Sequence, residues 1–142
     1  MPVVAPASLS PSPTPALLTV DQAAGAYRTI AGAYNKAITA AFKKYGKSTT
    51  LKANKAYWAV SAKAGDTFID ALKAVKFPAD VQADATKLIK SSIVAQRAAL
   101  AASKAKNWAQ LNERAADAIK ADKKSVELVA ILRDDLGLPP NV

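Results

Sequence analysis

Apolar side chains recur at alternating spacings of three and four along nearly the whole chain beyond residue 18. The first stretch is the clearest. Val20, Ala24, Tyr27, Ala31, Tyr34, Ile38, Ala41 and Tyr45 fall on one face of a helical wheel, the heptad seam of a helix that buries a single stripe. The tetrapeptide AGAY, at 24–27 and again at 31–34, is that seam written twice. Its tyrosines point inward, and Ala24 and Ala31 let a neighbouring backbone approach. Gly25 and Gly32 fall on the opposite face, near Thr29, Lys36 and Lys43. They leave a surface of small residues there, open to two readings: compositional drift, or a contact face for a second chain.

Punctuation divides the rest. Thr19 with Gln22 reads as a capping box, and Gly46 reads as a stop just past the first helix. Ser48, Thr49 and Thr50 offer caps for a second helix, Pro78 suits the first turn of a third, and Asn107 with Gln110 repeats the cap pattern before a fourth. Gly137, Leu138 and Pro139 follow in the order of a Schellman stop. The predicted helices cover 19–45, 49–76, 78–105 and 107–136, each about 40 Å long at 1.5 Å per residue. Short connections force antiparallel neighbours. The expected fold is all-α: an antiparallel up-down-up-down four-helix bundle over 19–142 with a Pro-rich N-terminal extension over 1–18. A three-helix alternative would fuse the last two helices through Lys104–Asn107.

The later seams carry polar residues. The second reads Leu51, Asn54, Trp58, Ser61, Gly65, Phe68, Leu72, Val75. The third reads Val81, Ala85, Leu88, Ser92, Gln96, Ala99, and the fourth Leu111, Ala115, Ala118, Asp122, Val126, Val129, Leu136. In an antiparallel bundle the helix middles meet at one height, so Tyr34, Ser61, Ser92 and Asp122 share a layer, with Gln96 a turn away. A buried carboxylate needs hydrogen-bond partners, and hydroxyls and an amide supply them. The layer is either a satisfied polar layer that fixes register or the lining of a small ligand pocket; if the wheel phase is off, Asp122 faces water. Trp58 and Trp108 read as core or bundle-end anchors, and an end tryptophan also suits a lipid or glycan contact.

Composition narrows the chemistry. Thirty-three alanines explain much of the 51% hydrophobic content, and alanine favours helix while adding little volume. With no histidine and no cysteine, thiolate chemistry, disulfides and the commonest general base and metal ligand are excluded. No Glu-x-x-His metal pair can form. The expectation is a non-catalytic protein with neither metal nor cofactor. A formal net charge of +9 favours an anionic partner. Lys43, Lys44, Lys47, Lys52 and Lys55 surround the first loop, and Lys104 and Lys106 flank the third. The topology puts both loops at one end, making a basic cap. Arginine is scarce (Arg28, Arg97, Arg114, Arg133), and no nucleic-acid-binding motif occurs.

Proline falls at every second residue from Pro11 to Pro15 among Ser and Thr, the composition of an extended spacer. There is no charged start or apolar run of a signal peptide, and no run reaches the roughly twenty apolar residues of a membrane span. With that leader, FPADVQADATKLIK at 77–90 and LRDDLGLPP at 132–140 resemble secreted lipoproteins of actinobacteria, a loosely defined group of helical proteins without assigned function. The resemblance implies export and attachment to the outer cell surface through a lipidated N-terminal cysteine, with the proline-rich stretch as tether. This sequence lacks that cysteine, and the resemblance brings no catalytic residues. The leading expectation is an exported or cell-surface binding or structural module for an anionic envelope polymer or lipid, or for another protein. The alternatives are a basic nucleic-acid-binding protein, a small-ligand carrier using the mid-bundle layer, and an enzyme using Asp122 or a tyrosine as acid or base, which would need a solvent-connected pocket beside a perturbed carboxylate.

Overall fold

Three of the four helices begin where a side chain accepts an otherwise unpaired backbone N–H. The computed structural model describes residues 16–140 and contains α1 (Val20–Tyr45), α2 (Leu51–Ala74), α3 (Ala79–Ser103) and α4 (Trp108–Asp135). Residues 1–15 of the predicted leader lie outside the described residues. At α1 the capping box forms as expected: Gln22 N–H donates to Thr19 Oγ1 at 3.2 Å and Thr19 N–H to Gln22 Oε1 at 3.0 Å. Of the three candidates before α2, Thr50 is the cap, accepting Ala53 N–H at 3.2 Å. Pro78 precedes α3 rather than entering its first turn, and its carbonyl accepts from Val81 and Gln82. Asn107 caps α4 through Gln110 N–H at 2.9 Å, but the Gln110 side chain reaches Lys106 N–H instead of closing a box on Asn107.

The stops differ. Gly137 adopts φ +66°, which costs glycine nothing. Gly137 N–H donates to the Asp134 carbonyl and Leu138 N–H to that of Arg133, at 2.9 and 2.8 Å, the two bonds of a Schellman motif. Gly46 ends α1 with right-handed dihedrals instead. Glycine is needed there for space, since a Cβ would lie 2.5 Å from the Phe42 carbonyl oxygen.

The fold is the expected all-α four-helix bundle, each helix packed on the next in sequence. The sides α1–α2, α2–α3 and α3–α4 are tightly packed; the fourth side, α1 against α4, has no comparable backbone contact. At one end the ring does close. Ala23, Ala24 and Tyr27 of α1, Leu72 of α2, Phe77, Val81, Ala85 and Leu88 on and before α3, Leu132 of α4 and Leu136 just after it form one buried cluster. Leu18, placed in the predicted leader, packs against it, and its N–H donates to the Lys76 carbonyl at 2.8 Å. At the other end a smaller cluster joins Ala102, Ala105 and Leu111 with Leu51 and Trp58, and α1 contributes nothing to it.

This asymmetry corrects the predicted α4 seam. The buried positions are Leu111, Ala118, Ser125 and Leu132, a strict seven-residue repeat that faces α3, where Ser125 Oγ and Ser91 Oγ lie 2.8 Å apart. Asp122 and Val126, expected in the core, are exposed, because they lie on the edge of α4 that turns toward α1, and α1 does not come up against it. Trp108 is also corrected: it is 44% exposed at the start of α4, whereas Trp58 is partly buried as an end anchor. Val20, too, is exposed at the start of α1.

The closed end carries carboxylates. One oxygen of Asp135 is shut off from solvent without a hydrogen-bond partner. Burial, then the neighbouring Asp84, raise its pKa, while Asp84 is lowered; the pair is best satisfied sharing one proton. Two substitutions test the packing. Phe77→Ala removes a fully buried ring shared by all four helices and is expected to cost about 3–5 kcal/mol. A Cβ at Gly32 would meet nothing within 4 Å, so Gly32→Ala is expected to add about 0.5–1 kcal/mol. Urea midpoints of both variants check the signs.

Candidate ligand cavity

Between α1 and α4, whose backbones make no comparable contact, the bundle opens into a cavity of ≈ 370 Å³. Its α1 wall runs from Tyr27 to Ile38 and its α4 wall from Ala118 to Val129, each about 16 Å at 1.5 Å per residue. The four predicted layer residues, Tyr34, Ser61, Ser92 and Asp122, and Gln96, expected a turn away, all line it. The layer is therefore not a sealed core layer but the wall of an open cleft.

Each side chain is held by its own element. Tyr34 packs its ring against Phe68 of α2, with centroids 5.2 Å apart, which fastens α1 to α2 at the cavity floor. Ser61 Oγ donates to the Tyr57 carbonyl one turn earlier, at 2.9 Å, leaving its lone pairs free. Ser92 is buried on α3. Gln96 lies against Gly65, where an added Cβ would come within 3.3 Å of the Gln96 side chain; the missing side chain lets α3 approach α2. Asp122 retains solvent contact at the mouth, flanked by Ile119 and Val126, which are 61% and 55% exposed.

The electrostatics are one-sided. Asp122 is raised above the usual aspartate range by burial alone; no opposite charge or hydrogen bond offsets it. Tyr34 is pushed up to about 12, first by burial, then by Asp122 and Tyr57. Tyr34, Tyr57 and Asp122 therefore face a common space. Among the described residues no lysine or arginine lines the cavity. Five of the chain's nine aromatic side chains do: Tyr27, Tyr34, Tyr57, Trp58 and Phe68. The sequence reading missed Tyr57, Asn35 and Ile119, because each falls off its helix's seam and joins the wall only where the bundle gapes. Tyr57 directly before Trp58 was the available signal.

The predicted basic cap maps to the other feature. Lys43, Lys44, Lys47, Lys52, Lys104 and Lys106 are exposed and Lys55 is half-buried, around the two loops at the end away from Phe77. No carboxylate occurs from 22 to 65 or from 85 to 112. Among the described residues the ion pair is Lys87 to Asp84, at 3.3 Å, toward the opposite end. No helix is long and apolar enough to cross a membrane among the described residues. The chain matches no family model, no curated protein and no solved structure.

The raised pKa of Asp122 has a consequence for stability. A folded-state pKa above the unfolded value means that the ionised group costs stability at neutral pH, and that the cost disappears as pH falls through the folded pKa. Asp122→Asn is expected to exceed wild type at about pH 7 by less than about 1 kcal/mol, since the group is partly solvated, and to converge with it in acid. Asp135 contributes with the same sign, so the decisive measurement is the difference between the two proteins' denaturation midpoints across pH, not the wild-type curve.

Proposed function

We propose that this protein is a non-catalytic binding module that holds a small amphipathic organic molecule between α1 and α4. One observation carries the reading: five polar side chains from four helices converge on a single open, largely apolar cavity. Its volume falls in the range of small-molecule sites, which are mostly apolar with a few placed polar groups. The chain holds no histidine or cysteine to serve as general base or nucleophile, which supports a non-catalytic role. The proline-rich leader and the lipoprotein resemblance support export or surface attachment, a setting in which a carrier would meet ligands outside the cell.

Titration with the neutral fluorophore N-phenyl-1-naphthylamine tests this. Saturable enhancement at one site per chain is expected, and Ser61→Phe, which projects a ring into the space, should abolish it while far-UV circular dichroism stays unchanged. Enhancement that never saturates, or that survives in Ser61→Phe, removes the carrier reading.

A second reading rests on the lysine cap. Its seven lysines lie on stretches of chain without carboxylates, which supports engagement of an anionic envelope polymer or lipid surface, or of nucleic acid. Binding to a polyanion should weaken steeply with salt, and Lys47→Glu with Lys104→Glu should flatten the log–log slope by roughly 0.9 per lost contact. Tighter binding to duplex DNA than to a non-nucleic polyanion of similar charge density would favour nucleic acid as the partner.

A further inference from the structure

Resting on the cavity reading, we infer that the occupant is a monocationic amphiphile, an organic amine or quaternary ammonium with an apolar body. Its charged head lies between Asp122, Tyr34 and Tyr57, and its body lies along Ile38, Phe68 and Val126. The argument begins with what the wall excludes. The chain carries twenty basic against eleven acidic residues, yet among the described residues the only acidic or basic side chain lining the cavity is an aspartate. That aspartate has no protein counter-ion and no hydrogen-bond donor.

A neutral occupant would displace part of the water that Asp122 keeps at the mouth and give the carboxylate no partner in exchange. An anionic occupant would add repulsion from Asp122. A cation supplies the missing partner and also meets the electron-rich faces of the surrounding aromatic rings, the environment in which alkylammonium groups are held. The protein's overall positive charge opposes cation approach only weakly: exposed charges beyond a Debye length of about 8 Å at physiological ionic strength are largely screened, whereas a carboxylate in contact is not. The polar groups that line the cavity with Asp122 are Tyr34 and Asn35 from α1, Tyr57 and Ser61 from α2, Ser92 and Gln96 from α3, and Ser125 on α4 itself; of these Tyr34 feels the Asp122 charge. Lys123 and Lys124, its neighbours on α4, are exposed and do not line the cavity.

Isothermal titration of the full chain with decyltrimethylammonium, decanol and decanoate, each below its micelle-forming concentration, tests the assignment. The ammonium is expected to bind roughly tenfold or more tighter than the alcohol. Asp122→Asn should erase that preference while retaining alcohol binding and helical content. In wild type the preference should fade as pH falls through the Asp122 pKa, where the carboxylate takes up a proton. If the alcohol or the carboxylate binds as tightly as the ammonium, or if Asp122→Asn keeps the preference, the cation assignment falls and the cavity reading stands. If none of the three binds, both fall.

Discussion

The absence of a fourth packed side governs this molecule. Each helix can bury only the stripe that its neighbours cover, and consecutive helices joined by short loops cover three sides of the bundle. Closing the fourth requires α1 and α4 to meet without a connecting loop to hold them. At one end they do, because Tyr27, Leu132 and Leu136 are large enough to fill the space beside Phe77 and Leu72. Farther along, α1 offers Tyr34, Asn35 and Ile38 and α4 offers Asp122. Contact there would bury a carboxylate with no basic partner. The helices diverge, and the cavity occupies the gap.

That origin explains why the cavity wall looks as it does. Its floor is the ordinary bundle core, made of Leu88, Ala99 and Ala118. Its rim holds residues that a closed bundle would have buried or excluded: Asp122 with its raised pKa, the Tyr34 hydroxyl, and the exposed Ile119 and Val126. The aromatic rings hold the floor rigid, Tyr34 on Phe68 and Tyr57 against Trp58 at 5.3 Å, so the cleft does not depend on a mobile loop. The lysine cap lies at the same open end, while the carboxylates of Asp80, Asp84, Asp134 and Asp135 gather at the closed one. A dipolar charge distribution thus runs along the bundle, and the one carboxylate of the cavity stands apart from both groups.

Local chemistry made much of this legible in advance. Thr19 with Gln22, Asn107, and Gly137 followed by Leu138 mark helix ends because each satisfies particular backbone groups within a few residues, and such bonds are written in the sequence. The α1 and α3 seams were readable for a related reason: a helix packed on one side shows its face in its periodicity. Tyr34, Ser61, Ser92 and Asp122, expected in one layer, and Gln96, expected a turn away, all line one cavity, because antiparallel helices of similar length bring their middles together.

What the sequence determined by itself, then, was the set of helices, their caps, their antiparallel order and the polar level they share. The tertiary structure alone decided whether that level would be sealed or open. The α4 seam shows the reason. Its residues satisfy two registers, one through Asp122 and Val126 and one through Ala118, Ser125 and Leu132, and periodicity cannot choose between them. The choice follows from which neighbour α4 packs against most closely, a non-local balance between the Ser91–Ser125 contact with α3 and the cost of pressing an unpaired carboxylate onto α1.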